Sequence, residues 1–204
     1  MSGYFISQLY NPLIFAAHGP IAAGQFGMSF AIANAVSVVA MAWMNTKLPR
    51  MGELIALRDY KTLDGIFFPT LWRSLGVILI LALIVGCGYH VFSLYDPSVT
   101  NRLISFEAFI VLLATVIINH IVYCEALYLR AHLKEPFMVL SIINATVSTF
   151  IVTYSVKFGI LSVVLGYFLV NLLIGLGLGT RVFIKKRHEW HQGSWPTKLA
   201  EEIL

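Results

Sequence analysis

Apolar residues fill six long stretches of the chain, separated by short polar loops. The pattern predicts helices at Gly3 to Ala17, Ile21 to Met44, Ile66 to His90, Leu103 to Leu129, Phe137 to Val156 and Ile160 to Ile184. A bilayer core about 30 Å thick takes roughly 20 predominantly apolar residues per helix. Five of the stretches reach that length and the first falls short. Helices satisfy their own backbone donors and acceptors in lipid, so the expected fold is all-α, a polytopic membrane helix bundle of about six transmembrane helices.

Composition strengthens this reading. Hydrophobic residues make up 58% of the chain and charged ones 12%, with a mean hydropathy of +0.81. A water-soluble domain of that make-up would expose apolar patches large enough to aggregate. The 204 residues carry no obvious tandem repeat and read as one membrane domain, residues 1–184, followed by a tail, residues 185–204.

The net charge of +4 is distributed as topology rather than as a nucleic-acid surface. Lys47, Arg50, Arg58 and Lys61 lie between the second and third spans. Arg130 and Lys134 lie between the fourth and fifth, and Arg181, Lys185, Lys186, Arg187 and Lys198 lie at the end. The intervening loops hold no basic residue around His18 to Pro20, only Arg102 near Asp96, and only Lys157 before Gly159. The positive-inside rule then places both termini in the cytoplasm.

Residues 45–65 form the longest polar stretch, yet Met51, Leu54, Ile55, Tyr60 and Leu63 recur at near-helical spacing. It reads as an amphipathic segment at the cytoplasmic interface. Met1 to Gly19 lacks the basic n-region of a secretory signal, and Gln8, Asn11 and Pro12 suit a kinked, packed helix better. Cys87 and Cys124 sit near opposite ends of antiparallel spans. At about 1.5 Å rise per residue their depths differ by roughly 20 Å, beyond disulfide reach.

Polar side chains inside the spans are the main functional clue, because hydrocarbon makes them costly and turns them toward the bundle or a wet cavity. Tyr4, Ser7, Gln8 and Asn11 occupy one helical face of the first span, with His18 seven residues further on. The face lines either a cavity or a helix interface. Ser141, Asn144 and Ser148 repeat the arrangement in the fifth span, and Asn119 and Tyr123 share a face of the fourth with Arg130. Ala23, Gly27, Ala31 and Ala35 form a small-residue stripe on the second span that admits a close neighbour. Glu125, and His120 through its imidazole, are candidates to carry a coupling proton. Glu107 reads as reaching the outer interface.

Intramembrane enzyme chemistry finds no motif here. His120 and Glu125 are about 140° apart around a helix and cannot form an i, i+4 ligand pair. There is no His-Glu-x-x-His, no Gly-x-Ser-x-Gly and no phosphate loop, and Gly175, Gly177 and Gly179 lie in a span with no strand before them. No metal site, cofactor or catalytic residue is expected. Arg73 beside Trp72 reads as an interfacial anchor or as a contact for an anionic headgroup or diphosphate.

The order of several features resembles a known family. Asn11-Pro12 is followed by Gly19-Pro20-Ile21-Ala22-Ala23-Gly24-Gln25-Phe26-Gly27, then by Thr46-Lys47-Leu48-Pro49-Arg50, Asp59-Tyr60 and Leu63-Asp64. Together with Tyr128-Leu129-Arg130-Ala131 and the Lys157-Phe158-Gly159-Ile160 turn, this resembles polysaccharide and O-antigen flippases of the MOP (MATE-like) exporter superfamily. The resemblance implies a multi-pass protein of the bacterial inner membrane that moves a polyprenyl-diphosphate-linked oligosaccharide by alternating access. Members of that family have about twelve spans in two related lobes. This chain corresponds to one lobe, by its basic end the C-terminal one. A cavity between lobes then needs a second six-helix lobe or a homodimer, and the short first span reads as a beginning inside a longer chain. The alternatives are a non-transporting membrane assembly protein or remnant, and a MATE-like drug or cation antiporter.

Overall fold

The computed structural model describes residues 2–132 and 136–191, with side chains from Leu9 onward. Every regular element among them is helical: α1 (Ser2–Asn45), α2 (Leu48–Ala56), α3 (Tyr60–Tyr95), the single turn α4 (Pro97–Thr100), α5 (Phe106–Ala131), α6 (Phe137–Ser155), α7 (Ile160–Val170) and α8 (Gly179–His191). A 3₁₀ turn, Val156–Phe158, ends α6, and a π-helical stretch, Asn171–Leu178, joins α7 to α8. Five stretches are long and apolar enough to cross a membrane, counting Leu9–Ala56 as one. The chain is an all-α polytopic membrane bundle.

The first of these stretches is two antiparallel limbs. Gly19 leaves helical geometry at φ 83°, ψ −179°, a region that only glycine enters without strain, and Pro20 starts the second limb with the φ that a first helical turn needs. Tyr10 packs edge-on against Phe26, with ring centroids 6.2 Å apart, and the Asn11 side chain lies over Gly27. Sixteen residues of straight helix would hold those pairs about 24 Å apart. The chain therefore folds back at Gly19, and the short first span and the second lie side by side as the apolar pattern predicts. Gly159 repeats the device at φ 104°, ψ 170° between α6 and α7. There Gly166 lets the helices meet: a Cβ on it would stand 2.7 Å from Cγ2 of Ile151.

Burial is arranged for lipid. In its most apolar window α3 is 17% buried, and Ile80, Leu83 and Ile84 face outward. α5 is the central element, 44% buried in its window and in contact with α1, α2, α3, α7, α8 and the π-helical stretch. Two apolar cores flank it. One holds Tyr10, Ile14, Phe26, Ile104, Phe109 and Val163; the other holds Met44, Met51, Leu63, Phe67, Tyr128 and Phe183.

The two ends of the bundle differ in chemistry. At the hairpin end, His18 Nε2 meets the Val156 carbonyl at 2.6 Å and Gln25 donates to the Asn101 carbonyl at 2.8 Å. Tyr89 donates to the Ile104 carbonyl at 2.9 Å. At the other end lie α2, the start of α3, the end of α5 and α8, so the basic loops gather on one side. α2 buries Met51 and Leu54 and exposes Arg50 and Glu53, which pair at 2.7 Å. Asp59 caps α3 by accepting from the Thr62 N–H, and hydrogen bonding from the Thr62 side chain, then from that N–H, holds its carboxyl below the usual carboxylate range. The helix of the last span continues to His191, beyond the Ile184 boundary expected from hydropathy. The tail from residue 192, and with it Lys198, lies outside the described residues, as does Lys134.

Candidate functional site

Polar side chains from four helices meet inside the apolar bundle. Asn119 of α5 donates from Nδ2 to the Tyr167 hydroxyl of α7 at 3.3 Å, and Asn144 of α6 donates to Asn171 Oδ1 at 3.4 Å. Asn171 in turn donates to the backbone carbonyl of Tyr167 at 2.8 Å. Tyr10, 1% exposed, enters from the first limb with its ring 5.1 Å from that of Tyr167. Its hydroxyl neighbours Ser148 of α6. Tyr10 OH and Ser148 Oγ face each other, and among the described residues Asn144 Oδ1 is buried without a hydrogen-bond partner. A buried polar atom left unpaired costs about 1–3 kcal/mol, so this seam is polar beyond what packing uses.

The sequence candidates divide around that seam. Asn119, Asn144 and Ser148 lie in it. Ser141 is half-buried two turns before Ser148 on the same helix. Tyr123 is exposed, one turn beyond Asn119. Asn11 faces out instead, into an open cleft of about 410 Å³ between the limbs of α1, lined also by Pro12, Phe15, Ala23 and Gly24. The side chains of Tyr4, Ser7 and Gln8 lie outside the described residues. Tyr10, Tyr167 and Asn171 were not singled out from sequence. A tyrosine in an apolar run reads as packing, and Tyr167 is the polar neighbour that Asn171 has at helical spacing.

A second polar group lies toward the basic end. His120 is fully buried, its Nε2 3.0 Å from Ser74 Oγ of α3 and 3.6 Å from Cys124 Sγ. Glu125 points to another neighbour, accepting at Oε1 from the Thr180 hydroxyl of α8 at 2.9 Å. The two candidates for proton coupling thus diverge, as their spacing predicts. Both cysteines are free thiols, Cys87 exposed and Cys124 buried. No group of three or more metal-ligating side chains occurs among the described residues.

At the basic end itself, Asp64 of α3 gathers partners that the sequence did not single out. Arg187 of α8 forms a bidentate ion pair with it, and the Tyr128 hydroxyl of α5 donates to Asp64 Oδ1 at 3.1 Å. Tyr128 also meets His191 Nε2 at 2.9 Å. Tyr60 stacks on His191 at 4.6 Å, and Arg187 lies 5.1 Å over Phe68. The cluster ties α3, α5 and α8 together. Arg73 and Trp72 are exposed on the outside of α3.

Comparison with protein-family models, curated proteins and solved structures finds no match.

Proposed function

We propose that this protein is one lobe of an inner-membrane transporter that moves a polar cargo by alternating access, with a polyprenyl-diphosphate-linked oligosaccharide as the cargo class. The observation that carries the reading is the seam of Tyr10, Asn119, Asn144, Ser148, Tyr167 and Asn171, which brings hydroxyls and amides to apolar depth and leaves the buried Asn144 Oδ1 unpaired. A purely structural bundle gains nothing from such an atom. Hydroxyl-rich cargo, or water moving with it, supplies the missing partner. The oligosaccharide rests on the family resemblance of the motifs and not on any one residue.

In this reading the basic end faces the cytoplasm and the Asn11 cleft opens toward a second lobe. Arg73 belongs to the headgroup level, beside exposed Trp72. An assembly role without transport is favoured by one observation: Ala31 and Ala35, the second half of the small-residue stripe, are exposed and present a close-packing face. The two readings separate on the seam. Replacing Asn119 and Asn144 together with Leu is expected to cut export of surface glycan by about tenfold or more, the scale of one or two lost buried hydrogen bonds, with the protein still present in the membrane. Undiminished export would overturn the cargo role of the seam. A drug antiporter would instead show altered drug susceptibility and unaltered glycan.

A further inference from the structure

Glu125 is 4% exposed in the last third of the most buried helix, and its carboxyl has one hydrogen bond, from Thr180. Its second oxygen, Oε2, is buried without a partner, and it makes no ion pair among the described residues. The surroundings offer no counter-charge. On its own helix the neighbours are His120, Cys124 and Tyr128, of which His120 turns to Ser74 and Tyr128 to Asp64. The π-helical stretch Asn171–Leu178 contains no titratable group. α2 offers Met51 and Leu54 and the end of α1 offers Met44. From α8 comes the neutral hydroxyl of Thr180; Arg181 and Lys185 of α8 and Arg130 of α5 are exposed, Lys186 pairs with Glu189, and Arg187 is taken by Asp64.

An ionised carboxylate in such a place carries a desolvation cost of several kcal/mol with only the Thr180 hydrogen bond to offset it. A protonated one is a neutral donor and acceptor that the site can hold. Tyr128, one turn or about 4.5 Å along the helix, already belongs to the polar cluster at the basic end, so the route for a proton is short. The helix facing Glu125 is also the least regular one in the bundle. Thr180 follows directly on Gly179, where the π-helical stretch gives way to α8, and Val122 of α5 packs against the bare backbone at Gly175 and Gly179. π-Helical turns inside a helix are frequent at functional sites.

We propose that Glu125 is a proton-binding site, and that the proton it carries holds the π-helical part of the last span against α5. On release, the carboxyl O–H bond breaks, its electron pair stays on the carboxylate, and the proton passes to water at the basic end. The carboxylate then turns toward that water, loses Thr180, and frees the helix from Asn171 to Gly179. As the coupling step of transport this rests on the reading above; as a bound proton it stands without it.

Infrared spectroscopy of the full chain in lipid nanodiscs tests the site. The expected result is a carboxylic-acid C=O band at neutral pH that is absent in Glu125→Gln and moves to higher frequency in Thr180→Val, where the hydrogen bond to the carbonyl is gone. Absence of an acid band that responds to either substitution overturns the proposal. Hydrogen exchange over residues 171–179 tests the coupling. With rising pH, protection should fall in the wild type by at least about tenfold beyond the intrinsic base catalysis, and by the intrinsic amount alone in Glu125→Gln; equal behaviour of the two proteins overturns it. Neither readout involves cargo, so a retained acid band with unaltered glycan export would reject the transport reading and leave the proton site standing.

Discussion

Gly19 shows how much one residue decides in this chain. Its backbone lies where a Cβ is not tolerated, while the space around it is open, with no atom within 4 Å of a Cβ position. Gly24, five residues on, has the same open space with helical geometry. Alanine at the two positions should therefore act in opposite directions. Gly19→Ala is expected to lower stability by about 1–3 kcal/mol, and Gly24→Ala to leave it unchanged or raise it by up to about 1 kcal/mol. Thermal unfolding in detergent reads both. Gly-Pro in an apolar run was a legible signal for this reversal. The partners of Asn119 were not, because Tyr10 and Tyr167 look like ordinary packing residues until the fold brings them together.

Among the elements, α5 and α8 show where spacing stops being informative. The length and polarity of α5 follow from its apolar run, and the divergence of His120 from Glu125 follows from five residues of helix. The Asp64–Arg187 pair joins positions 123 apart in sequence, and no local periodicity selects one cation among the Arg and Lys residues near the end of the last span. The π-helical stretch was hidden for another reason: Asn171 bonding back to the Tyr167 carbonyl and the run of glycines after it differ little in hydropathy from a regular span. The ion pair is partly buried, so its loss should matter. Asp64→Asn and Arg187→Gln are each expected to destabilise the protein, and the double variant by less than the sum of the two, with a coupling of about 0.5–3 kcal/mol in a double-mutant cycle. Additive effects would show that the cluster does not hold α8 to α3.

For the whole molecule, the separation of a basic end from a hairpin end predicts an orientation that labelling can test. In a cysteine-free background, Asn101→Cys is expected to react with an impermeant maleimide in intact cells and Lys61→Cys only after permeabilisation. The reverse pattern would invert the topology. Membrane residence and the bundle itself follow from apolar runs and exposed apolar faces, whereas transport rests on the polar seam and the cargo on motif resemblance. The two are tested together by deleting the protein from its host cell and locating the polyprenyl-diphosphate-linked oligosaccharide across the membrane. Accumulation on the cytoplasmic leaflet with loss of surface polysaccharide, restored by the wild type and not by the Asn119→Leu, Asn144→Leu variant, is the expected result. Normal surface polysaccharide with no accumulated lipid-linked oligosaccharide in the deletion strain would contradict it.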